Sequence, residues 1–159
     1  MPDKQSIPRR IGTLFRVPLA DETYGYAWLM KRPNMAFLRY NSSRPEADLD
    51  TLKTIPFAFV IPVRLRPADR WEAIGWCELP PELQAYPTQF RQPVGNFREC
   101  YITDNFGNER IATPEECVGI ERAAVWDGWQ ASERLLDELR GRTNRHAEHL
   151  KVRFSDDRP

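Results

Sequence analysis

Histidine titrates nearest neutral pH and is the usual acid or base in catalysis. The chain holds two, His146 and His149, in "HAEH". Three positions apart, they would share one face of a helix. A metal would need at least a third ligand, and neither an H-E-x-x-H pattern nor a nearby carboxylate cluster supplies one. The pair is read instead as a polar helix end or linker. Adjacent carboxylates occur at Glu115–Glu116 and Asp156–Asp157. Helix capping explains the first pair and a solvated tail the second. No G-x-S-x-G elbow is present, the glycines are scattered, and no loop is rich enough in them to cradle phosphate. Cys77, Cys100 and Cys117 are far apart in sequence and lack a C-x-x-C spacing, so each reads as a small buried hydrophobe in a reducing compartment. No catalytic residue, metal ligand set or cofactor motif is therefore assigned, and the residues point away from an enzyme. If an enzyme were present, His146 or His149 would have to carry its chemistry.

Lys plus Arg and Asp plus Glu both total 23, a formal net charge of zero. Nucleic-acid binders draw most of their affinity from phosphate contacts and usually carry a basic excess. The nearest approach to one is Arg64, Arg66 and Arg70, interrupted by Asp69 and Glu72. Nucleic acid is thus not the expected partner, although a small β-barrel adaptor using those arginines is the alternative reading. No apolar run approaches the ~20 residues of a membrane span, and "MPDKQSIPRRIG" lacks a secretory core. The expected location is cytoplasmic, with no membrane contact.

The elements that would position any site are short. "TLFRVPL", "TYGYAWLMK" and "NMAFLRY" alternate and read as a three-stranded antiparallel meander, with Pro18 at an edge or strand end. "ADLDTLKTI" reads as one helical turn with Leu49 and Leu52 inward. "FAFVIPVRL" reads as a strand buried on both faces, and "WEAIGWCEL" as a strand with a bulge at Gly75. "PELQAY" supplies a helical turn. "RECYITD" and "NERIAT" form a hairpin turning at Gly107. In "TPEE", Thr113 and Glu116 make a capping box around Pro114, and Gly119 stops the short helix. "IERAAVW" reads as a buried strand with a helical competitor. Asp127 caps a final amphipathic helix whose inner stripe is Trp129, Ser132, Leu135, Leu136 and Leu139, ending at Gly141. "LKVRF" could add an edge strand. The expected fold is α+β: an N-terminal antiparallel curled sheet or partial β-barrel, then the hairpin, short capped helix, strand and closing amphipathic helix. Residues 1–11 are expected to be a flexible leader, 12–154 one domain and 155–159 a loose tail.

Aromatic residues make up 11% of the chain. Most must be core, yet Tyr and Trp on a half-wet face also anchor protein interfaces. The stripe Tyr24, Tyr26 and Trp28 invites both readings. Together with the loop from Asp48 to Asp50, it is the sequence-level candidate for a partner surface.

Three segments resemble the bacterial immunity protein 26 family of polymorphic toxin systems. "GTLFRVPLADETYGYAWLM" matches that family's glycine, apolar–proline–leucine strand and tyrosine-rich second strand. "TPEECVGIERAAVWD" matches its most distinctive segment, through Glu121, Arg122, Trp126 and Asp127. "ERLLDELRGRTN" looks like its closing helix. Residues 45–95 match only in pattern, and "DGWQAS" departs from the proline and histidine expected after the aspartate. The resemblance implies an immunity protein that binds a cognate protein toxin and blocks it by stoichiometric occlusion, without catalysis, cofactor or small-molecule substrate. The four motif residues are expected to be structural: a buried tryptophan, a helix cap and an arginine–carboxylate pair would produce the same pattern.

Overall fold

The computed structural model describes residues 9–155. The leader up to residue 8 and the tail from residue 156 lie outside them. The chain alternates short apolar strands with turns, and two sheets result.

The meander forms as its alternation requires. Strands β1 (Thr13–Pro18), β2 (Tyr24–Leu29) and β3 (Asn34–Ser42) pair antiparallel, with Leu14 opposite Trp28 and Ala27 opposite Phe37. Helix α1 (Leu49–Leu52) is a single turn capped by the Asp48 carboxylate, which accepts from the Asp50 N–H at 3.1 Å. Strand β4 (Phe57–Arg64) joins β3, and β5 (Glu72–Trp76) closes the opposite edge against β1. The register of β5 slips between Gly75 and Ala73, placing the bulge beside the glycine as expected. A Cβ at Gly75 would lie 2.4 Å from a Leu49 methyl, so a larger residue there would require the Leu49 side chain to shift. Pro18 ends β1 inside the sheet, where its missing donor costs no ladder bond.

Helix α2 (Pro81–Gln84) is followed by β6 (Gln89–Arg91), β7 (Cys100–Thr103) and β8 (Glu109–Ala112). The β7–β8 hairpin turns where Gly107 takes φ +83°, and Asp104 Oδ1 accepts from the N–H groups of Phe106 and Asn108 at 2.9 Å each. The capping box forms: Thr113 N–H donates to Glu116 Oε2 at 2.8 Å, and Glu116 N–H to Thr113 Oγ1 at 3.4 Å. It caps only a 3₁₀ turn over Glu115–Cys117, which ends before Gly119 at φ +79°.

"IERAAVW" is not one strand. Its ends form β9 (Glu121–Arg122) and β10 (Trp126–Asp127), and these belong to different sheets. Helix α3 (Gly128–Leu139) follows at once, then α4 (Arg145–His149). The larger sheet runs β10-β4-β3-β2-β1-β5 and the smaller one β8-β7-β6-β9, with neither closed into a barrel. The fold is α+β.

The larger sheet is covered on both faces. On one, Phe15, Val17, Phe37, Ile61 and Trp126 pack against Leu135 and Leu136 of α3. On the other, Leu14, Tyr26, Trp28 and Leu38 pack against Leu52 of α1 and Leu83 of α2. This second layer is why "FAFVIPVRL" is apolar almost throughout. The smaller sheet buries one face, around Phe90, Cys100, Ile102 and Ala112.

Two further expectations are corrected. "LKVRF" forms no strand: after α4 the chain runs on without a ladder partner, held by side chains. Residues 9–11 are tied down rather than loose. The Trp76 indole donates to the Ile11 carbonyl at 2.8 Å, the Arg10 guanidinium lies 4.5 Å from the Trp76 ring, and the Arg10 N–H donates to Thr13 Oγ1 at 3.0 Å. Among the described residues, no helix is long and apolar enough to cross a membrane.

Candidate functional site

The segment from Glu121 to Asp127 is the junction of the molecule. β9 pairs parallel with β6 in the smaller sheet, and β10 pairs parallel with β4 in the larger one. Every charged or aromatic residue of the motif fastens one neighbouring element. Arg134 of α3 donates to both Glu121 carboxylate oxygens, Nη1 reaching Oε2 at 3.1 Å, while its guanidinium also lies 4.1 Å from the Phe59 ring. Arg122 Nε donates to the Leu150 carbonyl at 2.9 Å, and Nη2 to Gln92 Oε1 at 3.2 Å and the Lys151 carbonyl at 3.3 Å. Asp127 Oδ1 accepts from Arg64 at 3.0 Å and faces Arg66 at 3.8 Å. The Asp127 N–H donates to Gln130 Oε1 at 3.0 Å, completing the N-terminal cap of α3.

Trp126 is wholly buried, and its Nε1 is an orphan donor among the described residues. Its ring meets His146 edge to face at 4.5 Å and lies 5.1 Å from the Arg134 guanidinium. Burial pushes the His146 imidazole below its ordinary pKa, and the neighbouring His149 adds to the shift while Asp127 opposes it. His146 thus braces α4 against the strand end. Among the described residues, no group of three His, Cys, Asp or Glu side chains converges as a metal set.

The cysteines divide. Cys100 and Cys117 are buried in the smaller core, and Cys77 is half-buried. Burial, reinforced by Cys100 beside it, pushes the Cys117 thiol up to about 11. A thiol so held carries almost no thiolate at neutral pH and is a poor nucleophile.

The proposed partner stripe does not survive as a surface. Tyr26 is 0% and Trp28 2% exposed, because α1 and α2 roof that face of the sheet. Their polar atoms are satisfied inside: the Tyr26 hydroxyl pairs with Ser42 Oγ at 2.7 Å, and the Trp28 indole donates to the Gly12 carbonyl at 2.9 Å. Tyr24 is half-buried at the margin of the same cluster, with the Arg16 guanidinium 5.5 Å from its ring. Asp48 and Asp50 are exposed, but Asp48 caps α1 and Asp50 pairs with Lys53 at 2.9 Å.

Solvent is offered a different tryptophan. Trp129, expected to anchor the inner stripe of α3, is 59% exposed, and Val125 just before it is 57% exposed. The buried positions of α3 are instead Gly128, Ala131, Leu135 and Leu136. The helix starts close against the loop that carries Asp69, where a Cβ at Gly128 would lie 2.6 Å from the Asp69 carboxyl, and with Ala131, Leu135 and Leu136 packed inward Trp129 is turned outward. Hydrophobic spacing alone cannot distinguish two stripes that share Leu135 and Leu136; the tertiary packing does. Trp129 stands at one end of a groove of about 380 Å³ between α3 and α4, which also takes in Glu133, His146 and His149. Arg64 and Arg66, both well exposed, reach Asp127 nearby. Their shared carboxylate offsets much of the charge that the nucleic-acid alternative would need.

Compared with family models, curated proteins and solved structures, the chain matches none.

Proposed function

We propose that this chain is an immunity protein that binds a cognate toxin and neutralises it by stoichiometric occlusion, without catalysis. The support for the class is the sequence likeness described above, strongest at Glu121–Asp127. Those residues link both sheets, α3 and the C-terminal segment, which suits a protein that acts through a rigid exterior.

The observation that carries the choice of face is the exposure of Trp129 beside Val125. An indole left in water contributes little to folding, whereas a central Trp with flanking arginines is the usual composition of an interface hot spot. The contact surface is therefore placed at the N-terminal end of α3, with Trp129 as anchor and Arg64 and Arg66 on its margin. This replaces the stripe of Tyr24, Tyr26 and Trp28. An interface of roughly 800 Å² per partner is the standard size for a stable complex.

The test is co-expression with the toxin gene encoded beside it. The reading expects survival and co-purification at a one-to-one ratio. Persistent toxicity without co-purification refutes it.

A further inference from the structure

A second concave surface adjoins the first. The loop over residues 92–97 faces the segment that follows α4, and they enclose a cleft of about 550 Å³. One amide holds the two sides together. Gln92 Nε2 donates to the Arg153 carbonyl at 2.8 Å, and Gln92 Oε1 accepts from the Arg153 N–H at 3.0 Å, so the side chain stands in for a strand neighbour.

The charges lining this cleft have one sign. Arg122, Arg153 and His149 contribute cationic or protonatable groups, and no described lining residue is a carboxylate. Arg122 spends its Nε and Nη2 on carbonyl and amide oxygens, leaving Nη1 without a partner among the described residues. The Arg153 side chain engages no described residue. The two guanidiniums are close enough that Arg153, after burial, is a cause of the lowered proton affinity of Arg122. Like charges held together with no counter-ion among the described lining residues favour an incoming anion, and guanidinium geometry suits a carboxylate. The rim is apolar and open: Val94 is 93% exposed, with Phe97 and Leu150 also lining the cleft. His149 lines both this cleft and the α3–α4 groove, so the two surfaces are neighbours.

We infer that this cleft receives an acidic segment of the protein partner, with carboxylates on Arg153 and Arg122 and an apolar residue against Val94. The assignment rests on the toxin-binding reading, extending its surface from Trp129 along α4.

The test uses the full chain and a short synthetic peptide of glutamates flanking one leucine, followed by NMR. The expected result is shifts confined to residues 92–97 and 149–155, weakened by salt, with affinity falling at least tenfold in Arg153→Glu. Arg122 is left intact because it pins the C-terminal segment. Peptide shifts elsewhere, or binding unchanged in Arg153→Glu, overturn the inference. Tighter capture of inorganic phosphate than of the peptide also overturns it, in favour of a phosphate ligand. The sequence itself places Asp156 and Asp157 just beyond Arg153, so a chain ending at Ser155 is measured in parallel. Binding seen only in that shortened chain overturns the inference as well. A toxin pull-down separates the two readings: no capture by the wild type refutes the immunity function, whereas capture undiminished by Arg153→Glu refutes the cleft alone.

Discussion

The larger sheet lies between two apolar layers and draws its position from packing. The smaller sheet has only one buried face, with Arg91, Tyr101 and Ile111 aligned across its other side. Its attachment to the rest depends on polar clasps: Glu121 with Arg134, Arg122 with the Leu150 and Lys151 carbonyls, Gln92 with Arg153, and Gln89 with Asn34 at 2.9 Å. The difference bears on function. A sheet buried on both sides has little left to offer a partner, whereas a region fastened by side chains keeps clefts, loops and guanidinium groups at its surface.

The largest expected effect tests the packed region. Trp126→Ala removes a fully buried indole from the junction and should cost ~3–5 kcal/mol, read by denaturant unfolding. Trp126→Phe should cost clearly less, because it also removes a buried donor that has no acceptor among the described residues. Equal losses in the two variants would mean that the indole N–H is satisfied after all.

Arg122→Ala comes next, at about 1.5–3 kcal/mol, since it strips a charged donor from two carbonyls. Hydrogen exchange should rise in residues 145–155 and stay unchanged in β1–β4. Uniform loss of protection across both sheets would abolish the contrast between packed and clasped regions.

Alkaline titration probes the smaller core. The Cys117 thiol is raised from 9.0 to about 11, so the folded state holds its proton more tightly than the unfolded chain does. That contribution is complete below pH 9 and is lost as pH rises through about 11. Wild-type stability should fall across this window, and the fall should be smaller in Cys117→Ala.

The smallest effect on folding belongs to Trp129→Ala, within about 0.5 kcal/mol of wild type. Toxin affinity should nonetheless drop by about 2 kcal/mol or more, as at an interface hot spot. A stability loss matching that of Trp126→Ala would place Trp129 in the core and remove the proposed contact surface.

Local signals were legible in the sequence wherever a residue acts on its own neighbours. Thr113 with Glu116, Asp127 with Gln130, the turn at Gly107 and the meander of β1–β3 all appear where spacing and turn chemistry put them. In the motif, Trp126 is buried, Asp127 caps α3 and Glu121 pairs with Arg134. The surface was less legible. Tyr24, Tyr26 and Trp28 alternate as a half-exposed strand would, and nothing local announces that α1 and α2 will cover Tyr26 and Trp28. The arginine–carboxylate pairs of the motif were foreseeable as a type, but their partners, Arg134 for Glu121 and Arg64 for Asp127, come from other elements. Gln92 gave no signal, because an amide in a proline-rich loop looks the same whether or not it holds a distant strand.

Composition, periodicity and capping by themselves determined an α+β chain of short strands and a capped closing helix, because those depend on contacts a few residues long. Only the tertiary structure decided that Trp129 faces water, how "IERAAVW" divides between two sheets, and where the guanidiniums of Arg122 and Arg153 gather. Each of these turns on long-range contacts, such as the Asp69 carboxyl against Gly128, whose distant partners the local sequence does not specify.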